Sequence, residues 1–224
     1  MEILPNIHLI PDIIANPYLI VEPDGLTLID TGIPGSENKI LKYISDLGHS
    51  PRDLKRIILT HSDLDHVGSL FALKQASGAR TYASDIEARA IALGRASRQI
   101  KPANLLRRLL FIILRFRFKA VPVQVDELLR DGQVLPVLGG LHVVETVGHT
   151  PGHISLYAPA FNLLFPGDSM VSDDKGLYGS RPANTWDEAK ANESVRKQAA
   201  LGASIVCPGH GPVVTDAQNK FPKV

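Results

Sequence analysis

Residues 61–66 read His-Ser-Asp-Leu-Asp-His, so four side chains able to bind a metal fall within six positions, directly after the strand-like run Arg56–Thr60. Imidazole and carboxylate together suit zinc, iron or manganese, whereas a thiolate-rich set would point to structural zinc. Such a segment constrains the fold, because other loops must arrive beside it to complete a coordination shell. Three segments have the right composition: Gly148-His149-Thr150-Pro151-Gly152-His153, Phe165-Pro166-Gly167-Asp168 and Cys207-Pro208-Gly209-His210-Gly211. Each is expected to close a strand, and its small residues let the backbone turn tightly there. A lone histidine beside a glycine is ordinarily a solvated loop residue. Four such segments in one chain point instead to a shared metal site.

The rest of the pattern alternates strands with helices. Ile7–Ile10, Tyr18–Val21 and Leu26–Ile29 read as strands, with Pro23-Asp24-Gly25 as a hairpin turn and Asp30-Thr31-Gly32 closing the last of them. Asn38–Leu47 has helical spacing and stops at Gly48, and a second helix is expected from Val67 to about Ser77. Further strands are expected at Ala79–Ala83, Gln133–Leu138, Leu141–Thr146, Ile154–Ala158, Leu163–Pro166 and Ile205–Cys207. A helix should cover 187–201, and the final residues read as a tail. This alternation predicts a layered α/β sandwich in a single domain over residues 1–224, interrupted by a helical insertion at about 85–122.

The net charge of +1 gives no general pull toward nucleic acid or membrane. One cysteine, Cys207, excludes an internal disulfide and fits a reducing compartment. Met1–Pro5 lacks the basic and apolar regions of an export signal, so a cytoplasmic location is expected. The charge is unevenly spread. Arg95–Lys119 holds eight basic and no acidic residues, and within it Leu105–Phe118 is strongly apolar between its arginines. Four roles are open to this stretch: ordinary helices with solvated arginines, a lid over a substrate pocket, a homodimer interface, or contact with a membrane surface. No base-stacking module is interleaved in it, so nucleic acid is not an expected partner.

With these motifs in this order, most of the chain resembles the metallo-β-lactamase superfamily, whose signature is His-x-His-x-Asp-His followed by a His, an Asp and a final His. The resemblance implies a four-layer αβ/βα sandwich. It also implies that His61, Asp63 and His149 hold one metal, that Asp65, His66 and His210 hold a second, and that Asp168 bridges them. The chain departs from the signature at Asp63, where the commonest pattern has histidine. Asp30 is expected either to support the metal loop or to cap a turn. His153 is expected to be structural and Cys207 a small buried apolar residue. His8, His49 and His142 are expected to be surface or strand residues.

The activity implied is that of a dinuclear metal-dependent hydrolase. A hydroxide shared by two divalent ions, zinc or else iron or manganese, attacks a carbonyl or phosphoryl centre of a small-molecule substrate, and Asp65 orients it and takes its proton. No Gly-x-Ser-x-Gly elbow is present to suggest a serine nucleophile. An ester or lactone is the leading substrate, with a β-lactam, thioester or phosphotriester as alternatives. Lactonases of this kind carry a tyrosine soon after the bridging Asp, whereas here the nearest is Tyr178. Only 14 residues follow His210, so the helical domain of glyoxalase II is not expected here. The rival class is a diiron oxidoreductase of the flavodiiron type, which places a carboxylate where Asp63 stands but normally brings a flavin domain.

Overall fold

The computed structural model describes residues 1–98 and 120–224. The Leu105–Phe118 segment and the lid, interface and membrane roles attached to it lie outside the described residues. One sheet has seven strands in sequential order: β1 (Glu2–Leu4), β2 (Ile7–Leu9), β3 (Tyr18–Glu22), β4 (Gly25–Ile29), β5 (Leu54–Ile58), β6 (Arg80–Ser84) and β7 (Glu127–Leu129). The second sheet is built from β8 (Val134–Leu135), β9 (Leu141–Glu145), β10 (Ile154–Ala158), β11 (Leu163–Gly167), β14 (Ile205–Pro208) and β15 (Val214–Thr215), in the order β15-β14-β11-β10-β9-β8. A separate hairpin joins β12 (Met170–Asp173) to β13 (Gly176–Gly179). The α-helices among the described residues are α1 (Glu37–Asp46), α2 (Leu64–Val67), α3 (Leu70–Ser77), α4 (Asp85–Ala92) and α5 (Glu188–Ala199).

The layers follow from alternation along the strands. Tyr18 and Ile20 of β3 face the inter-sheet core with Leu156, Leu163 and Phe165, while Leu19 between them faces outward. That outer face packs Leu28, Ile57 and Leu59 against Ile40, Ile44, Leu70, Leu73 and Ile91 from α1, α3 and α4. Across the molecule, Leu164 and Val206 point away from the shared core onto Val195 of α5. Both sheets are therefore covered on both faces, which is why their strands read as nearly continuous apolar runs. This is the four-layer α/β/β/α arrangement expected.

Three local expectations change. The helix expected from Val67 begins earlier, at Leu64, and breaks after Val67, because Gly68 N donates to Gly32 O at 2.9 Å and Ser69 Oγ to Ile33 O at 2.7 Å. Asp65 and His66 thus sit on a short helix rather than in an open loop. The strand expected over Gln133–Leu138 shrinks to Val134–Leu135, since Leu138 turns to φ 53° ahead of two glycines. The expected tail pairs instead, with Val206 opposite Val214 and Ile205 opposite Thr215.

Phe165 is fully buried against Tyr18, with ring centroids 5.2 Å apart. Phe165→Ala is expected to lower the unfolding free energy by about 3–5 kcal/mol in a urea titration. Phe161→Ala, at an exposed position, should change it by no more than about 0.5 kcal/mol.

Candidate metal centre

The site forms where strand ends meet. β4 and β5 are parallel neighbours, so Asp30 and Thr60-His61 emerge at the same edge. In the facing sheet β11 and β14 are parallel, which brings Asp168 and His210 out together. The β9–β10 connection supplies His149. Seven predicted residues converge in three overlapping groups, His61/Asp63/His149, Asp65/His66/His210 and His61/His66/Asp168, each with ligand atoms within 4.8 Å of one another. Asp168 reaches both ends: Oδ1 lies 3.3 Å from His66 Nε2, and Oδ2 lies 3.3 Å from His210 Nε2 and 3.6 Å from His149 Nε2.

Buried polar atoms almost always find partners. Here His61 Nε2, His66 Nε2, Asp63 Oδ1 and Asp168 Oδ1 are buried with no hydrogen bond among the described residues. All four belong to the convergent set. Ring nitrogens and carboxylate oxygens gathered in one buried place without hydrogen-bond partners fit a cation, and the donor set suits a divalent one.

The charges agree. Burial, followed by the neighbouring His66 and His149, holds His61 well below the usual histidine value, so its ring stays neutral. For His66 burial pulls downward, but the Asp168 and Asp30 carboxylates outweigh it and raise the ring well above its ordinary value. His210 also resists its burial and is pushed up to about 9 by hydrogen bonds to Asp168 and Asp65. Despite burial, Asp168 falls well below the usual carboxylate range beside His66 and His210. The pocket's carboxylates thus hold positive charge strongly, and a metal bound there would displace protons.

Supporting groups fix each ring. Asp30, in the left-handed region at φ 58°, accepts from Thr60 N at 2.9 Å, Thr60 Oγ1 at 2.8 Å and His66 Nδ1 at 2.8 Å. Of the two roles expected of it, the structure shows support of the 61–66 loop: its carboxylate partners lie 30 and 36 residues away, and it caps no local turn among the described residues. Because Thr60 Oγ1 gives its proton to Asp30, it accepts from His61 Nδ1 at 3.0 Å, which leaves His61 Nε2 as a free lone pair. His149 Nδ1 pairs with Ser180 Oγ at 2.8 Å. His153 is structural, as expected: Nε2 accepts from Asp168 N at 3.0 Å and Nδ1 meets Thr146 Oγ1 at 2.9 Å, so both nitrogens are occupied. Gly209 is obligatory, since a Cβ there would lie 2.3 Å from Asp168 Oδ1. Cys207 lies in the inter-sheet core, where burial pushes its thiol up, and it is no ligand. His8, His49 and His142 stand apart from these groups; His8 is buried on β2 against Tyr43 rather than at the surface.

Two residues at the centre were not singled out as site residues. Glu87 on α4 is fully buried and accepts from Ser62 N at 2.9 Å, Gly152 N at 3.0 Å, Thr150 Oγ1 at 2.7 Å and Ser97 Oγ at 2.8 Å. It ties the 61–66 loop to the 148–153 loop. Arg98, read only as part of a basic stretch, pairs with Asp63. A cleft opens over the metal groups, with Ile33, Ile86, Leu93 and Val171 on its apolar walls and Arg95 and Arg181 among its cations.

The fold and this site define a class, and the chain belongs to the metallo-beta-lactamase superfamily, whose profile matches residues 10–210. It is similar to "Probable metallo-hydrolase YflN" of Bacillus subtilis, at 29% identity over 96% of this chain and 87% of that protein. It is also 30% identical to the hydroxyacylglutathione hydrolase of Pseudomonas aeruginosa PAO1 over 76% of this chain, but spans only 52% of that enzyme. A crystal structure of a metallo-beta-lactamase family protein from Thermus thermophilus superposes with a TM-score of 0.76 at 26% identity, covering 98% of this chain and 78% of that one.

Glu87→Ala would leave the Ser62 and Gly152 amides without their acceptor. It is expected to cost about 2–4 kcal/mol of unfolding free energy in a denaturant titration. Hydrogen exchange should show those two amides losing protection first.

Proposed function

We propose that the protein is a dinuclear metal-dependent hydrolase that opens an ester or lactone carbonyl in a small-molecule substrate. The observation that carries this reading is the set of four buried ligand atoms with no hydrogen-bond partner among the described residues, three on the 61–66 segment and one on Asp168 from the facing sheet. In it, His61, Asp63 and His149 hold one metal, Asp65, His66 and His210 hold the other, and Asp168 spans both. Two divalent cations bound there would supply a hydroxide nucleophile at neutral pH and polarise the carbonyl oxygen. Asp65 faces the cleft with Oδ2 3.3 Å from His210 Nε2, where it is placed to orient the nucleophile and accept its proton. Burial works against its charge, but the His210 hydrogen bond keeps its carboxyl below the usual range, in the proton-accepting form.

The apolar walls beside arginines suit a substrate with an apolar body and an oxygen-rich head. Tyr178 lies on β13 with its ring exposed and is not among the cleft residues, which counts against copying the tyrosine-assisted lactonase arrangement. The name carried by the hydroxyacylglutathione hydrolases keeps thioesters among the substrates to be tried.

Metal analysis of the purified protein is expected to give about two divalent ions per chain, most readily zinc, with activity lost on chelation. His66→Ala and His210→Ala should each lower the content toward one and abolish hydrolysis across ester, lactone, β-lactam, thioester and phosphotriester substrates. Full activity after exhaustive chelation would remove the proposal. Two irons with redox turnover would replace it with an oxidoreductase.

A further inference from the structure

Asp63 is the one position where the metal groups carry a charge that the commonest signature of the family lacks. Arg98, at the start of the basic stretch, answers that charge. Its Nη2 donates to Asp63 Oδ2, the oxygen that lies 3.3 Å from His149 Nε2 and 3.7 Å from His61 Nε2. The Arg98 side chain is only 8% exposed, and the Asp63 side chain 11%. The guanidinium is anchored from the residue before it: Ser97 N donates to Ser62 Oγ at 2.9 Å, and Ser97 Oγ to Glu87 at 2.8 Å. Residues 97 and 98 are thereby fastened to the same loop that carries Asp63.

A buried arginine is costly unless a carboxylate answers it, and the same holds for a carboxylate placed where an imidazole would be neutral. We infer that Asp63 and Arg98 act as one ligand unit of zero net charge, jointly taking the place of the usual histidine, with Arg98 as a positioning residue. Asp63 binds the metal, and Arg98 offsets the added negative charge and fixes the carboxylate's orientation. An unaccompanied carboxylate would make the first metal a poorer Lewis acid. With Arg98 beside it, the charge presented to that metal matches an all-imidazole set. This rests on the reading that Asp63 is a metal ligand.

The pair predicts reciprocal rescue. Asp63→His alone strands a buried cation beside the metal and should weaken zinc binding about tenfold or more, measured by competition with a chromophoric chelator. Arg98→Gln in the same chain should restore the affinity to within about threefold. In the wild-type background Arg98→Gln should move the acidic limb of the pH–rate profile upward, while Arg98→Lys, which keeps the charge, should leave it in place. Circular dichroism checks the fold, and if Asp63→His does not fold, the Gln and Lys variants decide alone. Additive effects in the double variant, or identical limbs for Gln and Lys, would overturn the inference while leaving the hydrolase reading standing. Full metal content in Asp63→Ala would instead show that Asp63 is no ligand and remove both the inference and this assignment of the first metal's ligands.

Discussion

The Asp30 carboxylate, almost wholly buried, holds three donors at once: the Thr60 amide, the Thr60 hydroxyl and the His66 ring. Two of these lie at the end of β5 and one on α2, so a single side chain sets where the metal loop leaves the sheet and how its helical turn is aimed. Through Thr60 the same carboxylate determines which nitrogen of His61 bears the proton. Two of the converging imidazoles thus have their free nitrogens selected by one anion placed 30 and more residues earlier. Ring orientation imposed from behind is what gives a metal site its affinity, because the ligands need not be ordered when the ion arrives.

That arrangement depends on the sheets. Strands covered on both faces cannot slip by one residue without turning an entire apolar set into the wrong layer. The register is therefore firm, and the parallel pairs β4–β5 and β11–β14 deliver their loops to the same edge. The inter-sheet core, with Tyr18 against Phe165, fixes one pair of loops relative to the other. Tyr18 also donates its hydroxyl to Pro208 O at 2.7 Å, so a core residue positions the backbone just before Gly209 and His210.

The site concentrates buried polar groups, which elsewhere in a core would be destabilising. Most are satisfied within the protein: His153 uses both nitrogens, and Glu87 takes four donors from three segments. The atoms left over are chiefly those that face the centre. Among the described residues, four of the six buried side-chain atoms without a partner belong to this one cluster, the others being Arg98 Nε and Glu22 Oε2. Such a concentration is the arrangement expected of a binding site rather than of a packing element.

The candidate loops that converge were legible in the sequence because metal chemistry restricts residue type and because each loop after the first is marked by local glycine and proline. The doubly covered strands were legible for the same kind of reason, as apolar runs bounded by turns. Where the sequence misled, the signals were long-range. The β12–β13 hairpin and the pairing of Val214 with Val206 depend on partners supplied by the fold. Glu87 sits in an ordinary helical stretch, and nothing nearby marks it as the acceptor for Ser62, 25 residues away, or for Gly152, 65 residues away. Arg98 looks like one cation among many until the fold brings it to Asp63 across 35 residues. By itself the sequence determined which chemistry the loops could hold, because coordination is written in residue types. Only the tertiary structure decided which buried charges support that chemistry, because a carboxylate or guanidinium takes its role from whatever the packing places against it.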